Sequence, residues 1–340
     1  MNYKDNNNFF NGTFKEITLD DFKTIDKYLK KHDFLSCEQN FVNIFSWSNH
    51  YPVKWCYLNN SNDIVLFYEE ENILMMPNEE LSLSKLNELC QFFETETPLI
   101  IGNVSEEYIQ NNHELEDYFE IEFDDNFSEY VYNANDLINL KGKKLRKKKS
   151  HINKFFNEYS QQKIEVKSLM RNQQILFNDI NFDYENVVID HKEINYQLNE
   201  NVCSDCINFL EKHFSASGDM PTDIEDFTAI NTALKHAESL NLDGIVIYIN
   251  GEVIAFALFS KQNFEAFTVH FEKINHNFIG ASQFLNYCSA IYLKQQYNCT
   301  LINREQDLGI EGLRHAKRSY APQFMLKQYQ LKHKSSNLEK

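Results

Sequence analysis

The sequence predicts an α+β fold in two domains, placed at residues 1–135 and 136–332, with a disordered tail at 333–340. Three observations predict it. The chain has 340 residues, room for two domains of ~100–200 residues each. It holds only 9 Gly and 5 Pro, too few for a turn-rich all-β fold. Its second half places a β-patterned meander before a β-α-β unit, and the first half has a similar element order.

The elements follow in order. Thr18-Leu-Asp-Asp starts a helix running to about Lys31, and Ser36-Cys-Glu-Gln39 resembles a capping box opening a second helix through Trp47. Residues 53–58 and 64–68 are β-rich runs separated by the turn cluster 59–63. A third strand at 73–76 stops at Pro77, and Leu83, Leu86, Leu89 and Phe93 keep helical spacing. A buried-type strand at 98–104, a short helix, and strands at 118–123 and 130–132 complete the first half. The second half opens with a helix at 143–159 and a strand at 163–168, then helical patterns at 193–214 and 224–240. Asn250-Gly251 between apolar runs 244–249 and 253–260 is a strong hairpin signal. Adding 264–273 gives a three-stranded meander. A helix from Gly280 to Tyr297, a strand at 300–304, a helix at 310–319 and a strand at 324–331 follow.

Composition narrows the function. Apolar residues make up 42%, and 28 Phe and 18 Tyr supply large buried areas. A net charge of −17 disfavours wholesale binding to nucleic acid but allows a local basic patch. No apolar run reaches the ~20 residues of a membrane span, and the polar N-terminus lacks an apolar h-region, so no signal peptide is expected. Seven irregularly spaced cysteines read as reduced thiols in a cytoplasm. Cys203 and Cys206 form the one close pair, without the second pair a zinc site needs. No metal and no cofactor is expected. Dinucleotide, P-loop, zinc-protease and serine-elbow motifs are absent from the sequence.

Candidate chemistry gathers where the β-α-β crossover makes strands 264–273 and 300–304 parallel. Ligands favour the carboxyl ends of such strands, and these ends carry His270-Phe-Glu-Lys273 and Asn303-Arg-Glu-Gln-Asp307. His270 and Glu272 share one strand face. Gly280 and Ser282 open a helix with free N–H groups, which suits either an anion or a plain cap. Arg314, Lys317 and Arg318 share a helix face at i, i+3 and i+4, either solvated, paired with Glu305 and Asp307, or gathered on an anion. Eight cations fall among the fourteen residues 141–154 without an acid, with His151, Asn153 and Phe155 at the end of the run. That run reads as a solvated face or as a polyphosphate or RNA contact.

Val269-His-Phe-Glu-Lys273, Ile302-Asn-Arg-Glu-Gln-Asp-Leu-Gly309 and Gly312-Leu-Arg-His-Ala-Lys-Arg-Ser-Tyr320 resemble the hallmarks of the DUF2156 family. That family is similar to the C-terminal catalytic domain of lysylphosphatidylglycerol synthases and, more distantly, to Fem-type peptidyltransferases. Glu129-Tyr-Val-Tyr132, Asp136-Leu-Ile-Asn-Leu-Lys-Gly142 and His151-Ile-Asn-Lys-Phe155 match further segments in order, so the resemblance runs from about Ile17 to Lys332. Before His151 the family carries Lys-Arg-Asn, where this chain has Lys148-Lys149-Ser150. Lysine keeps the charge but loses the planar fork that grips phosphate.

The resemblance implies two tandem GNAT-like domains, each a mixed, mostly antiparallel sheet flanked by helices, the first degenerate and the second catalytic. It implies transfer of an acyl or aminoacyl group to an amine or hydroxyl acceptor, with aminoacyl-tRNA as donor. The expected catalytic residues are His270, Glu272, Asn303 and Glu305, with His270 or Glu272 as base. The expected substrate- and phosphate-binding residues are Arg304, Asp307, Arg314, Lys317, Arg318, Tyr320, Gly280, Ser282, Lys148, His151 and Asn153. Alternatives are an acyl-CoA-dependent N-acyltransferase and a non-catalytic binding protein on the same fold. A lipid acceptor with peripheral membrane contact is compatible but not implied.

Overall fold

The structure, a computed structural model, describes residues 9–31, 34–59, 63–78, 80–93, 98–170, 174–177, 187–189, 198–217 and 221–334. Along the chain run β1 (Phe10–Glu16), α1 (Phe22–Leu29), α2 (Phe41–Trp47), β2 (Val53–Leu58), β3 (Ile64–Tyr68) and β4 (Ile73–Met75). Then come α3 (Leu83–Phe92), β5 (Ile100–Ser105), α4 (Glu106–Asn111), α5 (Leu115–Tyr118), β6 (Phe119–Phe123) and β7 (Glu129–Asn133). The second half continues with α6 (Ala134–Asn139), α7 (Arg146–Tyr159), β8 (Ile164–Ser168), β9 (Gln174–Phe177), β10 (Val187–Ile189), α8 (Glu200–Ser217) and α9 (Pro221–Lys235). It ends with β11 (Asp243–Ile249), β12 (Glu252–Lys261), β13 (Ala266–Ile274), α10 (Ala281–Tyr297), β14 (Leu301–Asn303), α11 (Glu311–Arg318), β15 (Phe324–Leu326) and β16 (Gln328–His333).

Two compact units form. The first spans Met1–Phe34, Glu38–Ser128 and Leu326–Lys340; the second spans Leu35–Cys37 and Glu129–Met325. Among the described residues, the first unit holds seven strands in the order β1-β2-β3-β4-β5-β16-β6. Only β4 and β5 run parallel there. Its core gathers Phe10, Phe67 and Phe93 with Leu74, Leu86 and Ile101. The second holds nine in the order β10-β9-β8-β11-β12-β13-β14-β7-β15, with β13 and β14 parallel. Both are mixed, mostly antiparallel sheets flanked by helices, the architecture expected of each domain.

Several expectations need correction. The division at 135/136 misses a strand exchange: β7 completes the second sheet, and β16 lies between β5 and β6 in the first. The expected strand at 324–331 is therefore two strands in different sheets. The expected tail starts too early, because His333 closes β16 and donates its amide to the Leu99 carbonyl at 3.2 Å. Residues 335–340 lie outside the described residues. Ser36–Gln39 does not open α2, because a separate 3-10 turn at Cys37–Gln39 precedes it. Asn40 caps α2 instead, its side chain accepting the Val42 amide at 3.0 Å. Strand β1 was unanticipated, as were β9 and β10; part of the helical pattern at 193–214 lies outside the described residues.

The core of the second unit explains the site's placement. Helix α10 buries Phe284, Leu285, Ile291 and Tyr292 against the inner residues of the meander, among them Ile245, Ile247 and Phe259. Phe284 stacks on Phe155 of α7 at 4.7 Å. Gly280 makes that approach possible. It sits at φ +83°, and a Cβ there would lie 2.4 Å from the His151 carbonyl oxygen. Asn250 and Gly251, at φ +52° and +86°, form the tight turn between β11 and β12.

Candidate active site

The parallel pairing of β13 and β14 stops at Thr268↔Asn303. Strand β13 runs on to Ile274 against β12, whereas β14 ends. The chain leaves β14 through Glu305 at φ +57°, a left-handed conformation that costs a non-glycine residue energy. Asn303 fixes it: its Oδ1 accepts the Glu305 amide at 2.8 Å. Two polar bridges then span the parting strands. His270 Nδ1 contacts Glu305 Oε1 at 2.9 Å, and Arg304 forms an ion pair with Glu272. Asn286 of α10 donates to the other Glu272 oxygen at 3.0 Å.

Arg304 is the most unusual group. It is 9% exposed, and its guanidinium lies 5.2 Å from the ring of Tyr320 and 5.7 Å from that of Tyr132. One nitrogen is held by Glu272, but among the described residues Nε and Nη1 have no hydrogen-bond partner, nor does the hydroxyl of Tyr320, a residue 4% exposed. Buried donors without partners are rare and cost about 1–3 kcal/mol each. Burial is the largest influence and opposes the Arg304 charge, but Glu272, Tyr132 and Tyr320 together outweigh it and raise its pKa. Lys148 of α7 lies over the Tyr320 ring at 4.0 Å. Burial, then repulsion from Arg304 and Lys147, lowers its pKa to about 8. A cluster of cations and tyrosine rings results, with these unpaired donors in it.

The loop after β14 is tied from below. Asp307, fully buried, accepts two hydrogen bonds from Arg314 at 2.8 Å and one from the Tyr130 hydroxyl at 2.6 Å. Lys317 donates to the carbonyls of Arg304 at 2.6 Å and of Gln306. Burial and the nearby Arg304 lower its pKa to about 8. The Tyr132 hydroxyl donates to the Lys317 carbonyl at 2.8 Å. On the other side, the buried Glu129 carboxylate accepts from Ser36 Oγ at 2.6 Å, the Cys37 amide at 2.8 Å and Asn303 Nδ2 at 2.5 Å. Burial raises the Glu129 pKa despite these donors.

The structure thus brings together His270, Glu272, Arg304, Glu305, Tyr320 and Lys148. It gives other expected residues different duties. Asn303 is saturated, its amide also donating to the Leu35 carbonyl at 2.7 Å. The trio Arg314, Lys317 and Arg318 does not present one anion-binding face. Arg314 grips Asp307, Lys317 holds carbonyls, and exposed Arg318 neighbours Tyr130. Gly280 serves the α10–α7 approach, and Ser282 contributes its carbonyl, accepting from Asn286 at 3.5 Å. His151 is half-buried, its pKa lowered by burial and then by Lys147, Lys148 and Lys154; Asn153 is exposed. Tyr130, Tyr132, Ser260, Asn286 and Glu129 were missed. Tyr130 and Tyr132 carried a signal, since alternate residues of one strand share a face.

The start of α7 is strongly basic. Its first turn holds Arg146, Lys147, Lys148 and Lys149 and no acid, at the helix end that already carries partial positive charge. Lys141, Lys143, Lys144, Arg146, Lys147 and Lys149 are exposed. Among the described residues, no group of His, Cys, Asp and Glu is placed to hold a metal ion, and no helix is long and apolar enough to cross a membrane.

Comparison with known proteins follows the same lines. The family model described as phosphatidylglycerol lysyltransferase, C-terminal, matches residues 33–176 and 189–332. A conserved protein of unknown function from Bacteroides thetaiotaomicron is 28% identical, with a TM-score of 0.76 over 94% of this chain and 99% of that one. The C-terminal DUF2156 domain of a putative lysylphosphatidylglycerol synthetase from Agrobacterium fabrum aligns at 11% identity and TM-score 0.57, over 93% and 92% of the two chains. L-PGS from Bacillus licheniformis aligns at 10% identity and TM-score 0.57, over 96% of each. At those identities the likeness is one of fold. No curated protein matches the chain.

Proposed function

Since the chain belongs to the phosphatidylglycerol lysyltransferase C-terminal family and is an acyl- or aminoacyltransferase, we propose that it moves an aminoacyl group from aminoacyl-tRNA to an amine or hydroxyl acceptor. The observation that carries this reading is the trio of unpartnered donors, Arg304 Nε and Nη1 and the Tyr320 hydroxyl, buried beside the Lys148 ammonium. Attack on an ester carbonyl puts negative charge on its oxygen. Fixed donors in a site shielded from water stabilise that charge strongly, by roughly 3–4 kcal/mol for one well-placed group. The Glu272 ion pair and the two tyrosine rings hold Arg304 in place, so little reorganisation is needed as the charge develops.

The basic start of α7 supports tRNA as donor. Exposed cations there suit a phosphate backbone, and Lys148 links that surface to the Arg304–Tyr320 cluster. The reaction then works by positioning two substrates, and no cysteine serves as a nucleophile: all seven are buried thiols.

The test is discharge of tRNA. The protein is mixed with a pool of aminoacyl-tRNAs and candidate amines, and loss of each aminoacyl ester is followed. Selective, protein-dependent discharge with a salt-sensitive rate is expected. No discharge, together with micromolar binding of coenzyme A by calorimetry, would replace this reading with an acyl-CoA-dependent one.

A further inference from the structure

The bridge between His270 and Glu305 extends one residue further. Ser260 of β12 lies with its Oγ 2.8 Å from His270 Nε2, and His270 Nδ1 lies 2.9 Å from Glu305 Oε1. A Ser–His–carboxylate series ordinarily exposes its serine. Here the burial runs the other way. The His270 side chain is 0% exposed and Ser260 is buried, whereas the Glu305 side chain is 18% exposed. The Glu305 Oε2 atom carries no hydrogen bond among the described residues.

Hydrogen-bond chemistry fixes the direction. With Glu305 as a carboxylate, which only accepts, Nδ1 carries the proton. In a neutral imidazole Nε2 is then the acceptor, and the Ser260 hydroxyl must donate to it. We propose that Glu305 is the catalytic base of the transfer, with His270 and Ser260 as buried positioning residues that aim its free oxygen into the gap between β13 and β14. The inference rests on the acyl-transfer reading above. As the acceptor's nitrogen or oxygen bonds to the acyl carbon, its proton passes to Glu305 Oε2. The ester C–O bond then breaks, and the leaving oxygen receives that proton from Glu305, so the enzyme returns unchanged. Two other carboxylates in the cluster are engaged, Glu272 with Arg304 and Asn286, and Glu129 with three donors.

The charged and titratable groups around Glu305 are His270 from β13, Lys317 from α11, Arg304 on its own loop, Glu272 paired to that arginine, and the Cys37 thiol bonded to Gln306. Removing the donors that favour the charged carboxylate should make it easier to protonate. Glu305→Gln should lower kcat about 100-fold or more and abolish the acidic limb of the rate profile. Ser260→Ala should shift that limb to higher pH with a smaller loss of rate, and Ser260→Thr should restore it. Nitrogen-15 NMR of the wild-type His270 ring, which needs no substrate, should show the Nδ1–H tautomer. An Nε2–H tautomer, a Glu305→Gln enzyme that keeps its acidic limb, or an acyl adduct on Ser260 by intact mass would each overturn the relay. A wild type that discharges no aminoacyl-tRNA but shows the Nδ1–H tautomer would count against the donor assignment and leave the relay standing.

Discussion

Replacing Asp307 by Asn tests how the loop after β14 is held. Burial alone would raise the Asp307 pKa, but the Arg314 hydrogen bonds, then the Tyr130 and Gly309 donors, bring it down from 3.8 to about 2. A shift of that size is worth about 2 kcal/mol of stability at neutral pH. The sign follows from its direction. The folded-state pKa is depressed, so the contribution is complete above the unfolded value near 4 and disappears as pH falls through about 2. About half should remain at pH 3. Asp307→Asn removes the titrating group and turns an amide N–H₂ toward a guanidinium that can only donate. Denaturant unfolding of both proteins from pH 7 to pH 3 gives the stability difference at each pH. It should be at least about 2 kcal/mol at pH 7 and shrink by about 1 kcal/mol at pH 3. A difference that stays constant with pH would refute the claim that the Asp307 charge holds the loop.

Gly280→Ala should destabilise the second unit by about 2–4 kcal/mol, from overpacking plus left-handed backbone cost. The added Cβ would meet the His151 carbonyl, and thermal unfolding measures the loss. Lys148 should be charged below about pH 8, so its contribution to tRNA affinity should weaken as pH rises through that value. Lys148→Arg should push the loss to higher pH in a filter-binding titration. Lys147→Ala should lower the slope of log affinity against log salt by roughly one if Lys147 meets a phosphate.

Much of the second sheet was legible from local pattern. Asn250-Gly251 fixed its hairpin, and the crossover from β13 through α10 to β14 required parallel strands, which placed His270, Glu272 and Arg304 together. What stayed hidden depends on partners far along the chain. Glu129 meets Ser36 and Cys37, and Tyr130 meets Asp307; no local period reports such pairs. The strand exchange of β7 and β16 is of the same kind, since a short strand carries no label for its sheet. Helical spacing correctly placed Arg314 and Lys317 close together, but it could not show that Asp307 and two backbone carbonyls already occupy them. Ser260 was passed over because a lone serine in an apolar strand has no sequence signature. Its role appears only through the distance to His270.

Single-turnover discharge of aminoacyl-tRNA by wild type and by Arg304→Lys tests the central claim most directly. Lysine keeps the positive charge but has neither the Nε nor the Nη1 donor, so the rate should fall about 100-fold or more while the fold survives. A folded Arg304→Lys protein that discharges the ester at the wild-type rate would contradict the account.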